Sequence, residues 1–596
     1  ISLISPNGTY DEQFLTNYAT INILDEIARI RGVGQAEVAG GSAFEYAMRV
    51  WIKPDQLAKL GLTVPDITAA IREQNVLIPA GQIGGPPAPP GTEFTYTVKT
   101  PGRLVTAEEF GSVVVRSNPD GSQVFLRDVA RIELGTQNYV VTARLNSAPS
   151  AVMMVYQLPD ANGLEVAGEI FAALESLKQR FPADVDYVIS LDTTRPIEAG
   201  IREIVVTLFQ AVALVIFVVF IFLQNVRSTL IPTLAVPVSL IGTFAVFPLL
   251  GFSINTLSLL GLVLAIGIVV DDAIVVVEAV AQKMEKGMGA KEATIEAMRE
   301  VSAPIIATSL SLIAVFVPVA TMGGITGSLY QQFAITIAIS VAISSINALT
   351  LSPALSALLL RPPGESKGRF HKFFDAFNRN FEVATGKFMV FTAFFTHKLV
   401  RAGILLAVLV VALLLLFRAV PGGFVPEEDQ GYLMAALQLP DAASLQRTDV
   451  VMSKVESVIA EFDAIDTYTT IAGFSLLTGT TQSNAGFIFL QLKDWDERPD
   501  RKDHASILVR RLNFAFANRV SEAVVFAFGP PAIPGLGTGS GFTMMLQDRS
   551  GSNPAYLAGQ TENFVAAAQQ RPEIASIGSL YRASVPQVAV DIDSAQ

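Results

Sequence analysis

Cysteine is absent from the 596 residues, which excludes a disulfide framework, thiolate chemistry and any Cys-based metal site. Histidine is scarce, and His371, His397 and His504 are too scattered in sequence to point to a metal centre. No Walker A pattern occurs, so ATP is not the evident energy source. Neither a G-x-S-x-G elbow nor a cluster of metal-ligand residues supports hydrolysis, and no cofactor is expected. Charge is thin as well. Asp, Glu, Lys and Arg make up 16% of the chain with a net charge of −12, and acidic outer parts flank a basic middle, which argues against nucleic acid as a partner.

Apolar residues are what the chain has in excess. They make up 51% of it, and the mean hydropathy of +0.46 is too high for a soluble protein. The length exceeds one domain. A membrane protein with soluble parts follows. The sequence opens on Ile1 without an initiator Met and stops just after the strand-like VAVDID. It reads as an internal piece of a longer protein, with no targeting signal to interpret.

Residues 1–200 have a soluble α/β texture, with amphipathic helical patterns at 11–29 and 164–180 alternating with short strands such as 46–52 and 150–158. Between them PAGQIGGPPAPPG, 79–91, is too rich in Pro and Gly for regular structure and reads as a long loop. Six apolar runs follow, roughly 204–223, 229–252, 256–281, 303–324, 332–360 and 399–420, each long enough to cross about 30 Å of hydrocarbon. Basic residues concentrate in the links after the third run (Lys283, Lys286, Lys291, Arg299) and the fifth (Arg361 to Arg401), and are absent from those after the second and fourth. The basic links are therefore expected in the cytoplasm, with both soluble blocks on the other side. The fifth link also carries Phe370, Phe373, Phe374, Phe377 and Phe381 at helical spacing, the pattern of a helix lying in the membrane interface. A soluble partner's groove is the alternative. After 421 the soluble texture returns with a repeat: 153–181 and 434–462 share a strand, a QLPDA turn and a helix ending in Phe. Duplicated halves are a recurring transporter design.

The centre of the chain is LLGLVLAIGIVVDDAIVVVEAVA, 259–281, an apolar run that carries Asp271 and Asp272 side by side. An ionised aspartate near mid-membrane costs roughly 2.5–3.5 kcal/mol or more, so the pair is not expected to be both charged and unpartnered. At about 100° per residue the two side chains point to adjoining faces of one helix. Gly261 and Ala265 lie on the Asp272 face with a small-x-x-x-small spacing that lets a neighbouring helix come close. A packed helix with an internal proton site is the functional reading; a water-filled crevice or a structural cation is the bland one. Lys and Arg occur only at the ends of the six runs, as at Arg202, Arg227, Arg401 and Arg418. The counter-cation is therefore expected from helices outside this sequence.

LAIGIVVDDAIVVVE, FLQNVRSTLIPTLAVPV, AVFVPVATMGGITGSLYQQFAIT, PEEDQGYL, LKDWDERP and FAFGPPAI together resemble the resistance-nodulation-division (RND) superfamily, in its hydrophobe/amphiphile efflux branch, and the likeness runs end to end. The resemblance implies a duplicated-half RND transporter fold, truncated at both ends: an α-helical polytopic membrane bundle with α+β (β-α-β porter-type) periplasmic domains. It implies a porter subdomain at 1–45 and 138–195 and a docking domain with a Pro-rich arm at 46–137. Membrane helices are implied at 196–362 and 399–420, around a cytoplasmic interfacial amphipathic helix at 363–398. Porter subdomains of the second half would fill 425–585, and a second docking domain would start at 586–596. As activity it implies proton-driven export of hydrophobic and amphiphilic drugs, dyes and detergents by an inner-membrane homotrimer, working with a periplasmic adaptor and an outer-membrane channel. Asp271 and Asp272 would be the proton relay. Asn138, Val141, Leu191, Ile471, Phe474, Leu476 and Phe489 would line the drug pocket, around a flexible Gly-containing loop between Phe474 and Phe489. Phe44 is left unassigned because GGSAFEY is longer than usual. The competing readings are another proton-coupled RND relative, such as a lipid or metal exporter or a protein-translocation motor, and a membrane receptor that transports nothing.

Overall fold

Among the described residues nine strands form one antiparallel sheet. In chain order they are β1 (Ser2–Ile4), β2 (Val33–Val38), β3 (Thr142–Leu145), β4 (Ala148–Gln157), β5 (Asp186–Val188), β6 (Tyr432–Gln438), β7 (Ile465–Ser475), β8 (Thr480–Leu492) and β9 (Val524–Phe528). Their order across the sheet is β5-β1-β4-β3-β7-β8-β6-β9, with β2 also paired to β4. The computed structural model describes all residues except 41–44, 78–79, 100–101, 362–370, 421–427, 532–543, 575–576, 580, 582, 584–587 and 589–596. The chain divides into this sheet unit, Ile1–Thr194 with Pro426–Gln596, and a helical unit, Arg195–Val425.

Strands from both ends of the chain share the sheet because β3 pairs with β7 in the register Thr142↔Ala472 to Leu145↔Thr469. Helices cover one face of it. Glu12–Ala19 continues through a π-helical turn at Thr20–Leu24 and packs with Gly163–Lys178 over Leu3, Ala151 and Met153. Leu445–Ile459 and Ala505–Arg519 cover Leu433, Ala435, Leu437, Ile488 and Leu490. The repeat is visible as strand, turn and helix in both copies: β4 leads through 158–161 into a helix capped by Asn162, and β6 leads through 439–443 into one capped by Ser444. Each cap oxygen accepts an N–H of the first turn.

Two of the sequence motifs meet here. Arg498, from LKDWDERP, donates to both carboxylate oxygens of Asp429, from PEEDQGYL, at 2.6 and 2.8 Å, and also to the carbonyls of Lys493 and Asp503. Asp429 further accepts from the N–H groups of Gly431 and Ala505. Burial works against its charge, but these donors outweigh it and hold the carboxyl below the usual range.

Within 46–137 a separate core forms around Leu57, Ile67, Leu126 and Val129. The Pro-rich stretch is not wholly irregular: Gln82–Ile83 pairs with Tyr96–Thr97, and Val98 N donates to Gly81 O at 3.1 Å. Gly81 and Gly84 flank the short strand at positive φ, which bends the chain into and out of the ladder.

The helical unit contains α1 (Arg195–Leu223), α2 (Val226–Leu250), α3 (Thr256–Glu285), α4 (Ala290–Ala320), α5 (Gly324–Leu349), α6 (Leu351–Leu359), α7 (His371–Thr396) and α8 (Leu399–Ala419). Among the described residues six spans are long and apolar enough to cross a membrane, α5 and α6 together forming the fifth. The helices outrun the apolar runs. Lys291 and Arg299 lie on the polar first turns of α4 and not in a loop, and only 286–289, with Gly287 at φ 93°, separate α3 from α4. At Thr350, with φ −124° and ψ −66°, the fifth run breaks just before Pro353. α3 is the inner helix, packed against α1, α2, α4 and α5. The aromatic series on α7 reaches the end of α1: Phe374 meets Phe220 at 5.9 Å, Phe377 and Phe381 meet Phe222 at 5.5 and 5.7 Å, and Gln224 bonds Asn378. Phe370 lies outside the described residues.

Candidate functional site

The two candidate sites lie in different units. On α3 the exposed positions Leu260, Leu264, Gly267, Asp271, Val275, Glu278 and Gln282 follow helical spacing, so Asp271 stands on a stripe that the other described helices leave open. Asp272 is half-buried, beside the hydroxyls of Ser309 on α4 and Ser344 on α5. Gly261 and Ala265 sit on this inner face as the spacing predicts. A Cβ added at Gly261 would stand 3.2 Å from Phe333 O and 3.5 Å from Thr336 Cβ, the close approach of α5 that a larger side chain would block.

Among the described residues neither aspartate pairs with Lys or Arg. The nearest basic residue along α3, Lys283, lies about 17 Å away by helical rise and is engaged by Glu300 of α4. Asp271 thus faces the open stripe and Asp272 the inner hydroxyls. Among the described residues no group of three or more His, Asp or Glu could hold a metal ion.

In the sheet unit the face away from the helices carries a continuous apolar surface. Val141, Ala143, Val152 and Ile471 are buried in it with Ala39, and Met154, Phe474 and Phe489 pack on them half-exposed. Phe489 also belongs to the adjoining cluster of Met434, Ala436, Phe487, Leu476, Leu477, Phe526 and Phe528. Its ring meets Phe487 edge to face at 5.0 Å. The fold thus brings together Val141, Ile471, Phe474, Leu476 and Phe489, with Val141 and Ile471 buried among them.

Leu191 is not a member of these two clusters, and Asn138 is polar. Asn138 is exposed, its carbonyl accepting from Thr136. Leu191 lies between Ser190, whose carbonyl accepts from Thr467, and Asp192, whose N–H donates to Gln491. That is the far end of the β7–β8 hairpin from Phe474, about 20 Å away by strand rise. Phe44 lies outside the described residues. Phe526 and Phe528 were not singled out by sequence; alternate phenylalanines in the short FAFGPPAI strand were the signal that puts both on one face.

The segment expected as a flexible loop is a regular β-hairpin, Ile465–Ser475 with Thr480–Leu492. Its glycines have fixed roles. Gly473 sits at φ 91° in a bulge where a Cβ would run into the Val140 carbonyl, and a Cβ on Gly486 would meet the Met452 side chain.

On the helix side of the same sheet a charged network ties the two ends of the chain together. Arg144 on β3 donates to Glu456 Oε1 at 2.9 Å and pairs with Asp449. Glu456, itself buried, also accepts from Ser147 and Thr470 at 2.9 and 2.6 Å. Glu12 accepts from Ala143 N at 2.6 Å, where β3 has left its pairing with β4. Burial pushes its carboxyl up to about 8, against the opposing pull of the Ala143 N–H and Arg144.

Comparison with known proteins agrees with this architecture. The AcrB/AcrD/AcrF family matches residues 1–596. The toluene efflux pump membrane transporter TtgB of Pseudomonas putida is 39% identical over 600 residues, covering 100% of this chain and 56% of its own length. The multidrug export protein AcrF of Escherichia coli (strain K12) is 39% identical over 575 residues, 95% of this chain and 54% of its own length. The multidrug resistance protein MdtF of the same Escherichia coli strain is 36% identical over 599 residues, 100% of this chain and 57% of its own. The chain thus spans about half the length of these relatives. With a family match over every residue, apolar membrane-length helices and sheet-rich domains, this chain belongs to the AcrB/AcrD/AcrF family of RND multidrug efflux transporters.

Proposed function

We propose that the protein containing this chain exports hydrophobic and amphiphilic compounds, drugs, dyes and detergents among them, by proton antiport. They leave from the periplasm or the outer leaflet of the inner membrane toward an outer-membrane channel. The observation that carries the reading is the adjacent Asp271–Asp272 pair on α3, without a Lys or Arg partner among the described residues, in a chain of this family. Taking up a proton changes the charge of a group in a low-dielectric bundle by one unit, and that change can bias helix packing between two arrangements. A proton gradient supplies the energy; the aspartates convert it into movement.

The apolar face around Phe474, Leu476 and Phe489 is the proposed substrate wall. Large aromatic side chains give contact area without demanding a fixed polar partner, which suits varied ligands. Residues 1–45 with 138–195, and 425–585, act in this reading as porter subdomains and 46–137 as a docking domain. The segment 586–596, outside the described residues except for 588, begins a second one. The soluble parts are placed in the periplasm because the basic links lie at the other ends of the helices. The assembly is a homotrimer in the inner-membrane bilayer, joined by an adaptor.

In the full-length protein, Asp271→Asn and Asp272→Asn are each expected to abolish drug resistance while abundance and trimer content stay normal. Resistance that persists in both single variants removes the proton-relay assignment.

A further inference from the structure

α5 presents a polar row on one face: Gln332, Thr336, Ser340, Ser344 and Asn347, at successive spacings of four, four, four and three residues. The last four are buried, with exposures of 0, 0, 3 and 8%. At the Gly324 end, Gln332 accepts from the side chain of Asn255, which caps α3. Thr336 faces α3 at Gly261. Ser340 meets Thr243 of α2 at 3.0 Å, and Asn347 donates to Ser239 of α2 at 2.9 Å. Ser344 donates to Val269 O of α3 at 2.8 Å and stands beside Asp272. The row therefore runs along the inside of the bundle from one end of α5 to the carboxylate.

Close helix packing accounts for the small size of these residues, but not for all of their hydroxyls. Ser340 donates to the carbonyl four residues back, Thr336 O, at 2.8 Å, the ordinary resting place of a serine in a membrane helix. Thr336 does not: its Oγ1 is fully buried and has no hydrogen-bond partner. A buried hydroxyl without a partner is destabilising, a cost that a valine of the same shape would avoid. Thr336 Oγ1 is thus a polar atom without a structural use in this arrangement, set between the capped end of α3 and Asp272.

We infer that this row, Gln332 through Thr336 and Ser340 to Ser344, is the route by which protons reach Asp272 from the Gly324 end of α5, with water bridging the hydroxyls. Successive members are about 6 Å apart by helical rise, the span of one water with a hydrogen bond on either side. Each hydroxyl accepts a proton on one side and releases its own on the other, so no net bond is made until Asp272. There the Ser344 hydroxyl turns from Val269 O to the carboxylate, gives up its proton and takes one from the water behind it. Val269 O keeps its place in the helix ladder throughout. The inference rests on reading Asp271–Asp272 as the proton-coupled pair, and on the Gly324 end facing the periplasm.

The test is drug-coupled proton uptake by the full-length protein in liposomes, as a function of outside pH, for Thr336→Val, Ser340→Ala, Thr336→Ser and Asp272→Asn at matched incorporation. Thr336→Val and Ser340→Ala are expected to slow uptake by roughly tenfold or more, as loss of a proton-transfer group does, and the loss should deepen as outside pH rises. Thr336→Ser should restore most of the rate. Uptake by Thr336→Val at the wild-type rate across the pH range overturns the route, as does equal loss in Thr336→Val and Thr336→Ser, which would mark a packing role. If Asp272→Asn abolishes uptake while both hydroxyl variants run normally, only the route fails. If Asp272→Asn also runs normally, the proton reading itself fails.

Discussion

In the sheet unit Arg498 is 3% exposed and Asp429 8% exposed, and the two satisfy each other, with four further hydrogen bonds to neighbouring backbone. In the helical unit Asp271 stands on the open stripe of α3 and Asp272 has two serine hydroxyls for neighbours and no cation. One unit surrounds its buried charge with fixed donors and holds it in one state. The other leaves its carboxylates without a Lys or Arg partner among the described residues. On the proposed function, the first kind of charge makes the fold and the second is presented for use.

The largest loss of stability is expected from Arg498→Ala, which leaves Asp429 buried without its partner at a cost of about 3–5 kcal/mol. Denaturation or limited proteolysis of the sheet unit reads it. Because the Asp429 carboxyl lies below its unfolded value, its contribution is present above the ordinary carboxylate range and lost as pH falls through the lowered value. The wild type should therefore lose an acid-sensitive increment that Arg498→Ala no longer has.

Next comes Gly473→Ala. The position is left-handed and its Cβ would strike the Val140 carbonyl, so a loss of about 2–3 kcal/mol and a displaced strand edge are expected. Its melting curve compared with that of Gly479→Ala, also at positive φ but with open space around it, isolates the close approach.

Phe489→Ala should leave the proton pathway intact and lower resistance about tenfold for ligands that use the ring, since a buried aromatic contributes roughly 1–3 kcal/mol. Phe474→Ala should do so more weakly. Resistance profiles at matched expression check this: an equal loss for every drug marks a folding defect, and no loss for any puts these rings in the core.

In acid the smallest effect is expected at Glu12. The folded protein holds a proton there that the unfolded chain releases, so this group's contribution is complete at low pH and declines as pH rises to about 8. Glu12→Gln keeps the acceptor for Ala143 N and removes the titration. A gain in melting temperature near pH 9, and none near pH 4, is expected in thermal melts.

What the sequence disclosed and what it hid follow from the range of each interaction. Asp271 and Asp272 were legible because two charges interrupt an apolar run, and Gly261 and Ala265 because their spacing is local. The strand, turn and helix repeat was legible for the same reason. The Arg144–Glu456 link was not, since its partners are 312 residues apart. The β7–β8 hairpin was mistaken for a loop because Gly473 and Gly486 look like flexibility in a sequence, whereas in the fold they are places where another chain segment comes close. Helix ends were missed because α1 and α4 continue into polar turns that carry no apolar signal. The distance between Leu191 and Phe474 was not legible, since only the strand pairing reveals that they lie at opposite ends of the hairpin.

Proton-coupled drug export by the full-length protein in liposomes, carrying Asp271→Asn or Asp272→Asn, with the melting temperature recorded on the same preparations, is the most direct test of the proposed proton role. Export and coupled proton uptake should be lost in each variant while the melting temperature stays at the wild-type value, as befits charges that the fold presents and does not need. Normal coupled export by both variants, or a collapse in stability like that expected of Arg498→Ala, would contradict it.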